Sequence, residues 1–396
     1  MASNDKIQRT LTTALFVYFS AASVVNPLMS VYLSGMLNPV EVGIVMAILP
    51  LSMILIQPFW GIAADLYGVQ RVLPLTLILA AAASVGFIFV RSFWGVLLVY
   101  AVYAIFIVST ASLLDVLILS FCRERYGRIK LWGTIGYGIG VFVCGVYKSQ
   151  LLGFWNFLIH IPLLLITAFI VRRLPIKGGE GSSQANLSTG KVGGYAFLKN
   201  KKLIVLFFCL FLVGVICKGY DNFFPVGINN MGASDLLFGT TWVIGIIPEI
   251  TLFYFMDIIS RRFSSWHILI AGTVFFALRT AIIGFFPILW VWIAAQILNS
   301  MAFTCWYFGA ISLIRDLTEE HQQASAQAAF WSISYGGGGI VGSFLSGYLV
   351  DVYGIPLLFQ ITSSLCILSV VILFILYKYG KRAKHPAQSL KESPML

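Results

Sequence analysis

The chain has 396 residues, of which 59% are hydrophobic and only 10% charged, whereas soluble globular domains carry about 25% charged residues. A soluble fold is excluded. Twelve membrane helices of about 20 residues each fit the length and leave no room for a large extramembrane domain. The net charge of +11 then bears on membrane topology, and nucleic-acid binding is not expected.

The opening MASNDKIQRT is polar, and the apolar run over 11–36 exceeds the about 7–15 residues of a signal-peptide core, so it is read as the first span. Further runs follow at 42–64, 72–90, 93–119, 131–147 and 151–171. The stretch 172–202 breaks the series. It holds KGGEGSSQANLSTGKVGG, a Gly- and Ser-rich charged linker that cannot stay in hydrocarbon. Six more runs follow at 203–228, 236–259, 268–286, 288–314, 324–350 and 355–377. The expected organisation is an N-terminal six-helix bundle over 1–171, a cytoplasmic linker over 172–202, a C-terminal six-helix bundle over 203–377 and a cytoplasmic tail over 378–396. Of the six cysteines, Cys144, Cys209, Cys217, Cys305 and Cys366 fall in apolar runs and Cys122 lies beside a basic loop. Without CxxC or Cys/His spacing, neither a metal site nor a disulfide framework is expected.

Basic residues orient the chain. Twenty-two of the 26 Lys and Arg residues fall in the termini and in the connections that share their side, against Arg91 and Lys148 on the other side and Lys218 and Arg279 inside spans. This asymmetry places both termini in the cytoplasm. With no targeting extension, a multi-pass protein of a bacterial cell membrane is expected.

The halves echo each other. Trp132 and Trp331 are 199 residues apart, and Tyr137 and Tyr335 are 198 apart, in two glycine-rich segments of the fifth and eleventh spans. Ser112-Leu113-Leu114-Asp115 has a counterpart 200 residues on in Ser312-Leu313-Ile314-Arg315. One shared offset with six spans on either side of a linker points to a duplicated unit. The glycines of 133–140 and 336–339 lie inside spans and lack the lysine of a phosphate-binding loop, so they are read as sites of close helix approach. Active transport by this chain would therefore draw on a gradient, with no bound cofactor.

Between spans two and three the sequence reads Gly61-Ile62-Ala63-Ala64-Asp65-Leu66-Tyr67-Gly68-Val69-Gln70-Arg71, which resembles the signature loop of the major facilitator superfamily, G-x-x-x-D-x-x-G-x-x-R/K. Gly61 and Gly68 would permit a tight turn, and Asp65 with Arg71 would form a conformational latch. In the second half only Asp257, Arg261 and Arg262 keep the pattern, with Phe253 in place of the leading glycine. A narrower resemblance rests on Pro248-Glu249-Ile250-Thr251-Leu252-Phe253, Leu278-Arg279, Gln296, Asn299, Ala324-Ser325-Ala326-Gln327 and Tyr126-Gly127-Arg128-Ile129-Lys130-Leu131-Trp132-Gly133. These segments look like the phenylpropionate-permease and lactose-permease-like branches, which implies a proton symporter with a glutamate in span eight and an arginine in span nine. Asn299 stands where that branch often has a histidine. The implied fold is all-α, twelve transmembrane helices in two pseudo-symmetric six-helix bundles.

Lys218, Asp221, Glu249 and Arg279 are ionisable residues within spans. Each would cost about 2.5–3.5 kcal/mol at the bilayer centre on insertion scales, so they call for partners and a reason. One reading makes Glu249–Arg279 and Lys218–Asp221 structural ion pairs. The other makes Glu249 a proton carrier with Arg279 as its switch partner and Asp221 in support, while Lys218 snorkels, pairs or meets an anionic substrate. Asn26, Gln57, Asn156, His160, Gln296, Asn299 and Gln327 are candidates to line a substrate cavity, each also able to serve as a helix–helix hydrogen bond. Asp115 is expected to pair with Arg128 or Lys130 at the cytoplasmic end of span four. Tyr18, Tyr100, Tyr103, Trp242 and Trp306 are read as interfacial belts and packing.

The resulting expectation is secondary active transport of a small organic solute by alternating access, by proton symport. A proton-coupled exporter of drugs or metabolites is the rival, made weaker because the segment 136–145 lacks the proline such exporters commonly carry in span five. A nontransporting sensor or a membrane enzyme is remote, since no HExxH or comparable cluster is present. The expected partners are a small-molecule substrate, protons and the lipid bilayer, and the chain is expected to act as a monomer.

Overall fold

A computed structural model describes residues 2–151, 154–174, 200–319 and 322–382; most of the expected linker, 175–199, lies outside them. The described residues form seventeen α-helices, α1 to α17, with no strand. In hydrocarbon a backbone amide finds no water, so each must bond within its own helix, and helices are the form open to a chain this apolar.

Seven of the expected spans are single helices: α1 (Ala2–Ser34), α4 (Val69–Phe89), α7 (Tyr126–Val146), α9 (Phe154–Arg172), α10 (Lys201–Asn230), α11 (Asp235–Arg262) and α12 (Ser265–Phe285); α17 (Ile355–Arg382) is an eighth. The short α8 (Lys148–Leu151) joins α7 to α9. Several helices run past the apolar stretches because hydrogen bonding continues to the first cap. Asn38 and Glu41 form a reciprocal capping box at the start of α2 (Pro39–Leu55), with bonds of 2.9 and 3.1 Å, and Ser92, Asn200 and Ser234 cap α5 (Phe93–Ile107), α10 and α11.

The remaining spans are broken. Span two divides into α2 and α3 (Gln57–Tyr67) with a bend of 45°. Pro58 sits at the start of α3, where its ring excludes a straight continuation past the Ile54 carbonyl. Span four is α5 followed by α6 (Thr110–Cys122), and span ten is α13 (Leu289–Ala294) followed by α14 (Gln296–Leu317). Span eleven consists of α15 (Gln323–Trp331), a π-helical segment over Ser332–Gly337 and α16 (Gly338–Tyr353). With α5–α6 and α13–α14 each taken as one helix, ten helices among the described residues are long and apolar enough to cross a membrane, or eleven if the bent pair α2–α3 counts as one span. The twelfth expected span is the one interrupted by the π segment.

The duplicated register is visible in the packing. α7 packs on α1, and a side chain at Gly136 would overlap the Phe16 carbonyl. In the second half α16 and its π segment pack on α10, and a side chain at Gly214 would overlap the Ser334 carbonyl. The glycine-rich segments thus bring helices into backbone contact. In the signature segment Gly68 turns the chain with φ +86°, but Gly61 lies inside α3 with open space around its Cα. The expectation of a turn at Gly61 is corrected: α3 continues to Tyr67, and Gly68 alone carries the left-handed residue.

The two halves meet asymmetrically. One apolar core runs from Leu15, Tyr32 and Phe87 in the first half into Phe223, Phe224, Phe238 and Trp292 in the second. A separate core of the second half holds Leu203, Phe207, Trp306, Phe330 and Leu373. Although this core reaches the opposite end of the first half at Leu11, Ile118 and Val171, the second half joins it at the Lys148 end of the molecule. There α2 approaches α16 at Gly43 and Gly347, and α7 approaches α11 at Gly145 and Gly239, each with backbone atoms in the way of a side chain.

Gly136→Val is expected to overpack α7 against α1 at a cost of about 1–3 kcal/mol, lowering the Tm of the detergent-solubilised protein. Gly61→Ala, which meets open space, should leave Tm unchanged or slightly raised. Equal melting of the two variants would show that backbone contact at Gly136 does not hold these helices.

Candidate functional site: a central cavity between the halves

Two adjoining cavities lie at the centre of the molecule, where the halves meet. The first, of about 310 Å³, is lined from the first half by Tyr18, Asn26, Met29, Met46, Tyr100, Tyr103, Tyr137 and His160, and from the second by Lys218, Asp221 and Trp242. The second, of about 320 Å³, is lined by Cys217, Tyr220, Gly245, Ile246, Glu249, Phe276, Arg279, Gln296, Asn299, Phe303 and Tyr335. Tyr137, Asp221 and Trp242 line both and mark where the two adjoin.

The intramembrane charges face this space. Lys218 and Asp221 lie three residues apart on α10, hence on one side of it. Asp221 is exposed into the cavities and is within electrostatic reach of both Lys218 and Arg279. Glu249 projects from α11 and is half-buried. Arg279, on α12, is buried with 1% exposure; its Nη1 donates to Asn299 Oδ1 at 2.6 Å and its guanidinium lies 3.4 Å from the Tyr220 ring centroid. Arg279 Nε and Nη2 make no hydrogen bond among the described residues.

Neither Glu249–Arg279 nor Lys218–Asp221 is an ion pair within 4.0 Å; those among the described residues join Arg125–Asp5, Lys130–Asp115, Lys148–Asp235 and Arg315–Asp316. The structural-pair expectation is therefore corrected for this conformation. Arg279 takes Asn299 and the face of Tyr220 instead, a cation–π contact that a carboxylate across a cavity does not displace.

Among the polar candidates, Gln296 donates to the Tyr220 hydroxyl and braces the ring beneath Arg279. His160 is buried on the first cavity, with Nε2 3.2 Å from the Tyr103 hydroxyl and Nδ1 2.8 Å from the Ala21 carbonyl oxygen. Such a doubly bonded ring fixes α9 against α1 and α5. Asn26 is exposed into the first cavity. Gln57, Asn156 and Gln327 line neither cavity. Gln57 reaches Ser112 Oγ at 3.4 Å within the first half, and Asn156 is buried with Oδ1 unbonded; both lie on helix faces turned to neighbouring helices.

At the latch positions, Asp115 accepts two bonds from Lys130 Nζ at 2.7 and 2.8 Å, while Arg128 is exposed. Of the two expected partners it is Lys130 that pairs with Asp115. Asp65 and Arg71 are exposed and form no ion pair among the described residues.

The aromatic lining escapes sequence reading. Tyr18, Tyr100, Tyr103 and Trp242, expected at interfaces or in packing, all line the first cavity; Trp306 does pack in the second-half core. A signal exists: Trp242, Gly245, Ile246 and Glu249 recur at i, i+3, i+4 and i+7 on α11 and share one face. The repeat holds another, since Tyr137 and Tyr335, 198 residues apart, line the second cavity from opposite halves.

Replacing Asn299 by Leu leaves Arg279 Nη1 without its acceptor, at an expected cost of about 1–3 kcal/mol. The variant should melt below the parent in detergent; an unchanged Tm would show that the Asn299 bond does not hold the guanidinium.

The chain resembles proteins of known kind along most of its length. It is 26% identical over 359 residues to the uncharacterized transporter YwbF of Bacillus subtilis, covering 88% of each chain. It is 24% identical over 366 residues to the probable 3-phenylpropionic acid transporter of Escherichia coli, covering 87% of this chain and 92% of that one. The crystal structure of the nucleoside transporter NupG superimposes with a TM-score of 0.85 at 18% identity, covering 94% of this chain and 99% of that one, and so shares the major facilitator fold. The family model described as MFS_1 like family matches residues 9–361, and the chain belongs to that family of membrane transporters.

Proposed function

We propose that this protein is a secondary active transporter that carries a small organic solute with a proton, by rocking of the bundles 1–171 and 203–377 about the central cavity. The observation that carries this reading is the placement of Lys218, Asp221, Glu249 and Arg279 on cavities between the halves. Four ionisable residues within spans each carry an insertion cost, and facing a shared internal space is the arrangement that lets water, a proton or a solute compensate it.

Glu249 is the proton carrier in this reading. It lines the same cavity as Arg279 without pairing to it, so its charge is not locked into a structural bridge. A carboxylate sealed from water must be neutralised by a proton or by a cation. Closing the cavity around Glu249 would hold its proton, and opening it toward water or bringing Arg279 closer would let the proton go. Asp221, within electrostatic reach of Lys218 and Arg279, would help to place the solute. Solute and proton would then move together because an empty, charged cavity is costly to close.

The lining supports a solute with a flat apolar portion and a few polar groups. Tyr18, Tyr100, Tyr103, Tyr137 and Trp242 offer ring faces and hydroxyl or indole donors. The cargo named for the Escherichia coli relative, 3-phenylpropionic acid, is of this kind and serves as the first solute to test.

In proteoliposomes with an imposed pH gradient, the protein should accumulate 3-phenylpropionate or a solute of similar form. Glu249→Gln should abolish accumulation yet retain exchange of labelled for unlabelled solute at equal pH. Gradient-driven accumulation that survives Glu249→Gln unchanged would remove that residue from coupling.

A further inference from the structure

The shared core leaves open what fastens the two halves at the Lys148 end. Lys148, in α8, is buried. Its Nζ donates across the interface to Asn229 Oδ1 at 2.8 Å and to the Ala233 carbonyl oxygen at 3.3 Å, and lies 3.7 Å from Asp235 Oδ1. The next residue adds to this: Ser149 N donates to Asp235 Oδ2 at 2.8 Å, and its hydroxyl bonds the same oxygen. All the acceptors belong to the end of α10, the start of α11 and the turn between them.

The same ammonium lies 5.0 Å from the centroid of the Phe238 ring. Phe238 in turn meets Trp242, one helical turn on, with centroids 6.5 Å apart and planes at 61°. Trp242 also meets Phe224 edge to face at 6.2 Å. Its indole then forms wall in both central cavities, and its buried Nε1 has no hydrogen-bond partner among the described residues. A continuous line of packed groups thus leads from the interface lysine to the solute space.

We propose that Lys148, Ser149 and Asp235 form a bolt that keeps the halves closed at this end, and that Phe238 and Trp242 tie the bolt to the central cavity. The Trp242 ring, which forms wall in both cavities while its Nε1 is buried, is the end of the line that a solute would press against. Moving the indole shifts Phe238, and with it the ring face that supports the Lys148 ammonium. Lys148 is buried while Asp235 is partly and Ser149 largely exposed, so losing Asp235 leaves a buried ammonium short of its counter-charge and losing Lys148 removes the bonds across the interface, and either change favours the separated arrangement. The inference rests on the alternating-access reading but needs neither a proton nor a solute for its test.

Cys217 is a native reporter, half-buried in the wall of the second cavity. In sealed proteoliposomes an impermeant maleimide is applied to the face carrying Lys148, and modification of Cys217 is followed by peptide mass spectrometry. The parent should be protected from that face. Lys148→Met and Asp235→Asn should each be modified at least about tenfold faster, the effect of losing one charge-assisted bond, and Lys148→Asp with Asp235→Lys should regain protection. Phe238→Leu and Trp242→Ala should raise the rate with the bolt residues intact. Variants are compared after gel filtration and thermal melting, so an unfolded one is recognised. Protection equal to the parent in both Lys148→Met and Asp235→Asn overturns the bolt; parent-like protection in Phe238→Leu and Trp242→Ala overturns its tie to the cavity. Loss of gradient-driven uptake in Glu249→Gln would move neither rate, which separates this inference from the coupling role of Glu249.

Discussion

A side chain with a formal charge cannot rest against acyl chains unless something else meets its field, and the molecule is arranged around four that sit within the spans. Lys218, Asp221, Glu249 and Arg279 belong to α10, α11 and α12, all in the second half. Lys218 and Asp221 face a cavity whose opposite wall is furnished by the first half, and Glu249 and Arg279 face an adjoining one to which the first half lends Tyr137. The first half contributes tyrosines, a histidine and methionines to that wall. At the first cavity the second half holds the charges and the first half a largely neutral aromatic surface, so that neither half lines that cavity alone.

That arrangement demands helices which approach closely in some places and leave space in others. Glycine supplies the close approaches. Where Gly136 meets the Phe16 backbone and Gly214 meets that of Ser334, main chains touch, and the bulk displaced from those crossings is found in the cavity walls as Tyr137 and Tyr335. The same short stretch therefore does two things at adjacent positions. On α7, Gly136 faces α1 while Tyr137 beside it points about 100° around the helix into the central space; in the second half Ser334 stands at the crossing beside Tyr335, and the glycine, Gly214, is on α10. In the second half a π-helical turn over Ser332–Gly337 carries this out, adding a residue to the turn that bears Tyr335.

Much of this was legible in the amino-acid order because hydrocarbon enforces a simple rule on backbone and composition. The apolar runs, the break at 172–202 and the offset near 198 each follow from that rule or from duplication, and the described helices agree with the apolar runs. The cavity was legible in part. Charges inside apolar runs announce themselves, and Asn299 and Gln296 on α14 were found with them. The tyrosines did not, because an aromatic ring costs nothing in a membrane and its sequence does not tell lipid-facing from cavity-facing positions. Gln57 failed for the converse reason: an amide in a span can bond a neighbouring helix as well as face a cavity, and it takes Ser112; Asn156 and Gln327 also lie away from both cavities. Lys148 was the least readable. As one of two basic residues on its side it looked like loop, and only the fold brings Asn229, Ala233 and Asp235, more than 80 positions away, around its ammonium.

Closure at one end follows from where the apolar cores lie. Ridges of Phe223, Phe224, Phe238 and Trp292 join the second half to the first at the Lys148 end, whereas the basic end of the second half keeps a core of its own, built on Trp306 and Phe330. Apolar packing between the halves is nearly nondirectional in lipid, since hydrocarbon chains offer a side chain almost the same surroundings as another side chain. It can therefore be exchanged at modest cost when the halves rock. Polar contacts are different, because they are directional and each member held between the halves loses a fixed partner when the halves part. The end where the halves carry buried hydrogen bonds is the end whose opening must be compensated, and it is there that the structure places Lys148 against Asp235, with an aromatic line running from that pair to the chamber between the bundles.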